Sequence, residues 1–337
     1  MKMARWITLF ALLISASSAA AQEYFYENGL FVGVGAQATF YHRSDGISYG
    51  FPAFCTVTPI CDPQIFGFSP TRLNDVAPSP TVKVGYKFND DDALTLKGDW
   101  AKFSVSRSLT SPDAVGFTSI FVDGSNGLFI NPLRGADTNI DVDWDSNLFN
   151  AMLEYQRRLT AGENGGFFGL LGFKFRFEQQ NFHAKAINTT LPGNIVADDY
   201  HELLRQFLFG PYAGLKLSLK PDKDSKFTFN IGGDIGWYFQ SAFFQAHNRI
   251  FNQGPFRKED HSRDGTLFAG ANVDLIYAIN RNWFVDVGYE FNWINALAGI
   301  WNTRKSPSSG TSFTPSHIST QQVLTHSPGV KVIYKFN

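Results

Sequence analysis

Long runs of the chain alternate, residue by residue, between apolar and polar side chains. In FTFNIGGDIGWYF, Phe227, Phe229, Ile231, Gly233, Ile235, Trp237 and Phe239 share one parity, while Thr228, Asn230, Gly232, Asp234, Gly236 and Tyr238 hold the other. In FFGLLGFKFRFE, Phe167, Leu171, Phe173, Phe175 and Phe177 oppose Lys174, Arg176 and Glu178. In WFVDVGYEFNW, Trp283, Val285, Val287, Tyr289, Phe291 and Trp293 oppose Asp286, Gly288, Glu290 and Asn292. Successive side chains of a β-strand point to opposite faces, so each run is a strand with one greasy face and one polar or small face. Soluble sandwiches alternate too, but their strands are typically about 3–10 residues long. The runs 139–159, 167–187 and 200–219 are each about twice that upper length.

The pattern predicts ten strands, near 30–41, 79–88, 93–108, 139–159, 166–187, 200–219, 226–242, 263–279, 283–300 and 319–336. Their connections alternate between tight (NDDD 89–92, TAGENG 160–165, KPDKDS 220–225, NRN 280–282) and long (42–78, 109–138, 188–199, 243–262, 301–318). Short turns at one rim and long loops at the other characterise a transmembrane β-barrel. Closure follows from physics, because backbone groups in hydrocarbon must all be paired and only a closed sheet has no edge. Expected is an all-β, closed, antiparallel barrel over 22–337, with both termini at the short-turn rim. A twelve-strand alternative arises if 109–138 supplies two more spans; the GSNG turn signal there favours a hairpin outside the membrane.

The 34 Phe, 12 Tyr and 7 Trp accompany a slightly negative mean hydropathy, which fits amphipathic strands better than apolar helices. Lys2 and Arg5, then WITLFALLISASSAA and Ala19-Ala20-Ala21, read as a cleaved export signal over 1–21. A net charge of −1 offers no concentrated basic face for nucleic acid.

One phrase occurs twice. SPTVKVGYKFN (79–89) returns as SPGVKVIYKFN (327–337), differing only at Thr81/Gly329 and Gly85/Ile333. Both copies are expected to descend to the short-turn rim, where Tyr86, Phe88, Trp283, Tyr334 and Phe336 would form an aromatic girdle. The final copy, with Val330, Val332, Tyr334 and Phe336, resembles the carboxyl-terminal sorting strand of Gram-negative outer-membrane barrel proteins. It departs from that pattern by one residue, Asn337, after the last aromatic. The resemblance implies an outer-membrane location and recognition by the barrel-assembly machinery. It also implies outer-membrane lipid and lipopolysaccharide as neighbours.

The polar parity carries the functional signal. Asp234, Asp274, Asp286 and Glu290 form an acidic side. Lys83, Lys87, Lys97, Lys331 and Lys335 form a mostly basic one, joined by Asp99, and Lys174, Arg176 and Glu178 add a further group. Opposed walls of charge would set a transverse field across a narrow passive channel for ions or small polar solutes. The other reading is a plugged barrel displaying interaction loops. Eight strands or so leave an interior just filled by side chains, and buried opposite charges then pair. A hydrolase is the third class. Asp141, Asp143, Asp145 and the adjacent Asp260 and His261 resemble the acid and Asp/His pairs of the ten-stranded omptin proteases, although omptins place one residue between that Asp and His. Cys55 and Cys61, in the first long loop, pair as a disulfide in an exported protein. No cofactor or metal site is expected, and GVGAQA (33–38) alternates like a strand instead of opening a helix.

Overall fold

The structure, a computed structural model, describes residues 28–43, 76–89, 91–111, 138–162, 165–188, 195–222, 225–250, 256–301 and 317–336, with short strand segments between 47 and 68 and between 116 and 130. The expected signal at 1–21 and the Cys55 and Cys61 pair lie outside the described residues. Ten strands make the barrel: β1 Gly29–Arg43, β2 Val76–Lys87, β3 Asp92–Ser111, β4 Thr138–Gly162, β5 Gly165–Asn188, β6 Ile195–Leu219, β7 Phe227–Ile250, β8 Phe256–Ala278, β9 Trp283–Trp301 and β10 His317–Lys335. Each pairs antiparallel with its sequence neighbours, and β1 closes the cylinder on β10. The twelve-strand alternative is not adopted. Gly116–Ser119 and Phe129–Ile130 pair as a hairpin, and Gly116–Ser119 also pairs with Phe51–Phe54, outside the barrel.

Two of the tight turns are built by asparagine. Asn89 Oδ1 accepts from Asp91 N and Asp92 N at 2.8 Å each, and Asn280 Oδ1 accepts from Asn282 N and Trp283 N at 2.9 Å each. Such Asx turns mimic a backbone turn with a side-chain oxygen and reverse the chain in the fewest residues.

Solvent changes along the longest strands, and the alternation inverts where it does. On the lower part of β7, Phe229, Ile231, Ile235, Trp237 and Phe239 stand exposed on the outside, with Asn230 and Asp234 inside. Above Gln240 the same strand buries Ala242, Phe244 and Ala246 inside and turns Ser241, Gln245 and His247 outward. β4 repeats this: Phe149 and Leu153 are exposed below, while Trp144 is buried above with Asp141, Asp143 and Asp145 outside. A membrane strand needs only about 9–11 residues, whereas β4 to β8 have 23–25. The lower half is therefore a membrane barrel, and the upper half is a water-facing barrel with its own apolar interior.

The repeated phrase has a structural setting that the sequence did not reveal: its two copies flank the same strand. Val32 pairs with Val84 of β2 on one side and Tyr334 of β10 on the other. Both departures from identity are steric. Phe31 lies opposite Gly85 and its ring covers that backbone, so a Cβ there would sit 2.1 Å from Phe31 Cζ. On the other side Ile333 faces Gly33 and has room. A Cβ at Gly329 would lie 2.7 Å from Gln37 Cβ, whereas Thr81 faces Gly35. The expected girdle residues Tyr86, Phe88, Trp283 and Phe336 stand exposed at the lower rim, and Tyr334 packs on both Trp283 and Phe336.

Gly85→Ile, which makes the repeat more nearly perfect, is expected to destabilise the barrel by about 1–3 kcal/mol through overpacking against Phe31. Urea unfolding from liposomes checks this, with outward Val84→Ile as the neutral control. Ile231→Arg on the lipid face is expected to cost about 2–4 kcal/mol by the same assay. Gln245→Arg, on the same face of the same strand above the inversion, should leave the midpoint unchanged.

Candidate functional site: a lumen closed by paired charges and an apolar layer

Inward parity brings the charged residues singled out in the sequence to one lumen. They do not stand as two separated walls. Lys97 of β3 reaches across to form an ion pair with Glu290 of β9. Lys174 of β5 meets Asp234 of β7 at 2.6 Å. Lys331 lies 3.5 Å from Asp286 and 3.6 Å from Glu290, so Glu290 joins two lysines. Asn150 donates to Asp99 at 2.9 Å and Asn272 to Asp274 at 2.7 Å, using polar neighbours of the same belt. Lys83 stands 6.0 Å from the Phe31 ring centre, and Lys87 and Lys335 are buried near the lower rim.

Just above lies a denser knot. Arg176 binds Glu178 at 3.1 Å, and Glu178 also accepts from Tyr41 at 2.9 Å, Gln180 at 2.5 Å and Gln206 at 3.2 Å. Glu178 is fully buried, and a buried charge persists only when its partners replace water this completely. Aromatic faces complete the neutralisation: Lys174 lies 5.0 Å from the Tyr212 ring and 5.1 Å from Phe268, and Arg176 lies 5.7 Å from Tyr41.

Above that knot the lumen is apolar. Phe103, Trp144, Phe182, Leu204, Phe244 and Leu297 are each at most 1% exposed and belong to one cluster. Sequence reasoning missed this layer because it followed the parity of the membrane half, on which these residues lie at the polar, inward positions. The signal was present as Trp144 among the aspartates of IDVDWD and Phe182 beside His183. A smaller cluster of Ile276, Phe284 and Ile333 is buried near the lower rim. Between the two lies a cavity of about 180 Å³ lined by Lys83, Lys97, Asp99, Asp234, Asp274 and Glu290, among others.

The residues behind the hydrolase reading fall on different faces. Asp141, Asp143 and Asp145 sit on the outside of β4, each accepting from a serine of β3: Ser108, Ser106 and Ser104. Asp260 accepts from Ile318 N at 3.3 Å, while His261, on the opposite face of β8, packs on Phe243. The expected Asp260 and His261 pair is therefore divided by strand alternation. A group not singled out in the sequence comes together on the outer face instead. Asp199 Oδ1 lies 2.8 Å from His183 Nε2 and 3.1 Å from His201 Nε2. Burial and the neighbouring His183 hold the His201 imidazole below the usual histidine range.

Removing one member of a buried pair leaves its partner charged and unsatisfied. Lys174→Met is expected to lower stability by about 3 kcal/mol, the lower end for such pairs because the adjoining cavity admits water. Lys174→Met combined with Asp234→Leu should recover most of that loss, as measured by urea midpoints of the single and double variants.

No protein-family model and no curated protein matches the chain. Among solved structures it is similar to the outer membrane protease OmpT of Escherichia coli, at 12% identity over 91% of this chain and 97% of that one, TM-score 0.48. It is similar to the translocator domain of autotransporter NalP from Neisseria meningitidis, at 10% identity over 99% and 95%, TM-score 0.41. It is also similar to the P. putida toluene transporter TodX, at 11% identity over 95% and 93%, TM-score 0.32. With its closed strand order and its outward apolar belt, the chain is a closed ten-stranded antiparallel barrel built to stand in a membrane.

Proposed function

We propose that the protein is a closed-lumen surface barrel, whose work is done on the part of the cylinder that stands beyond the membrane. The observation that carries this reading is the filled bore. Cross-lumen ion pairs lie beneath an apolar layer in which Phe103, Trp144, Phe182, Leu204 and Phe244 are essentially without solvent contact. Ten strands enclose an interior near the size that side chains fill. A hydrated ion crossing it would have to shed water in the apolar layer, at a cost of several kcal/mol. The outer face of the upper half is polar and mixed in charge, with Asp143, His183, Arg205, Arg257 and Arg263 on it. That composition suits contact with lipopolysaccharide or an extracellular partner. The β10 strand remains the proposed handle for the barrel-assembly machinery.

A second reading, the narrow charge-lined channel, is favoured by the cavity between the two apolar clusters and requires the upper layer to move. Planar-bilayer recording of the purified protein separates the two. The closed reading predicts silent bilayers for the wild type and conductance steps once Trp144→Ala and Phe244→Ala are combined. Discrete steps from the wild type, with selectivity altered by Asp234→Lys and Asp274→Lys, would establish the channel instead.

A further inference from the structure

The upper outer face carries a row of residues in direct register across adjacent strands. Asp143 of β4 faces His183 of β5, His183 faces His201 of β6, and His201 faces His247 of β7. The imidazoles stack, with ring centres 3.9 Å apart for His183 and His201 and 4.6 Å for His201 and His247. Asp199, two residues before His201, turns one carboxylate oxygen to both of the first two rings. Its contacts are 2.8 Å to His183 Nε2 and 3.1 Å to His201 Nε2. A carboxylate that only steadied an imidazole would need one ring N–H. Here two ring nitrogens converge on one oxygen and a third ring stands behind them.

We propose that His183, His201 and Asp199 form a surface site for a divalent first-row transition metal, with zinc as the reference ion. Two imidazole nitrogens and a carboxylate oxygen are the donor set that zinc takes, with the remaining position open to water or another ligand. In a tetrahedral site with bonds of about 2.1 Å, neighbouring donor atoms lie about 3.4 Å apart. The observed 2.8 and 3.1 Å edges are shorter by a few tenths of an ångström, so an ion would spread the donors slightly as the two stacked rings tilt to aim both lone pairs at it. The donors are accessible, since His183, His201 and Asp199 side chains are 34%, 39% and 34% exposed. Among the described residues no other group of three His, Cys, Asp or Glu side chains converges in this way. His42 and His326, whose Nε2 atoms are 3.0 Å apart, make a two-nitrogen pair without a carboxylate and serve as an internal comparison.

An ion held there would tie β5 to β6 near their upper ends. The test is isothermal titration of the folded full chain in lipid nanodiscs with zinc chloride alone, after stripping with chelator. The expected result is one saturable site per barrel, lost in the His183→Ala, His201→Ala double variant and weakened in Asp199→Asn. It should be unchanged in His42→Ala. Heat-modifiable migration on gels reports that each variant is folded, and cobalt(II) added to the wild type gives a second readout through the intense visible bands of tetrahedral nitrogen and oxygen ligation. The inference is overturned if the wild type shows no saturable zinc binding, if the folded double variant binds as tightly as the wild type, or if His42→Ala abolishes the site.

Discussion

Backbone N–H and C=O groups within hydrocarbon find no water, so each must meet another backbone group. For a sheet, that demand can be met only by joining its first strand to its last, and the whole molecule hangs on the pairing of β1 with β10. The even strand number, the antiparallel order and the return of both terminal strands to one rim all follow from this closure. So does the crowding inside. Ten strands draw a circumference whose enclosed space is small, and side chains of ordinary size fill much of it.

Two solvents act on the same strands. In the lower half the outside must be apolar and the inside is left to Lys, Asp and Glu, which pair because nothing else there can offset their lost hydration. In the upper half water surrounds the cylinder, and the ordinary hydrophobic effect packs Trp144, Phe182 and Phe244 inward. The inversion also holds the barrel at one depth. Sinking it would bring the aspartates of β4 into lipid, and raising it would expose Trp237 and Phe239 to water.

This division explains what was legible in the sequence. Strand number, order, the inward set of charges and the lower aromatic rim could be read because membrane strands keep a strict two-residue period. The upper ends of β7 and β8 could not. The segment 243–262 reads as a loop, yet β7 continues to Ile250 and β8 begins at Phe256. Ser241, Gln245, His247, Arg257, Glu259 and Arg263 occupy the parity that is apolar below, so the familiar pattern stops although the strand does not. Pairing across the lumen was equally hidden. Lys97 and Glu290 lie on strands that are not neighbours, and no spacing along the chain brings them together. The Asp199 trio depends in the same way on the register of β5 against β6.

The seam at β1 adds a consequence for assembly. Two segments of almost the same sequence dock on opposite edges of one strand, and by backbone alone either could take the other's berth. Phe31 acts as a key: its ring accepts the bare glycine of one segment and would collide with the isoleucine at the matching place in the other. A single aromatic ring and the bare glycine opposite it thus mark which of the two nearly identical segments belongs on which edge of the closing strand.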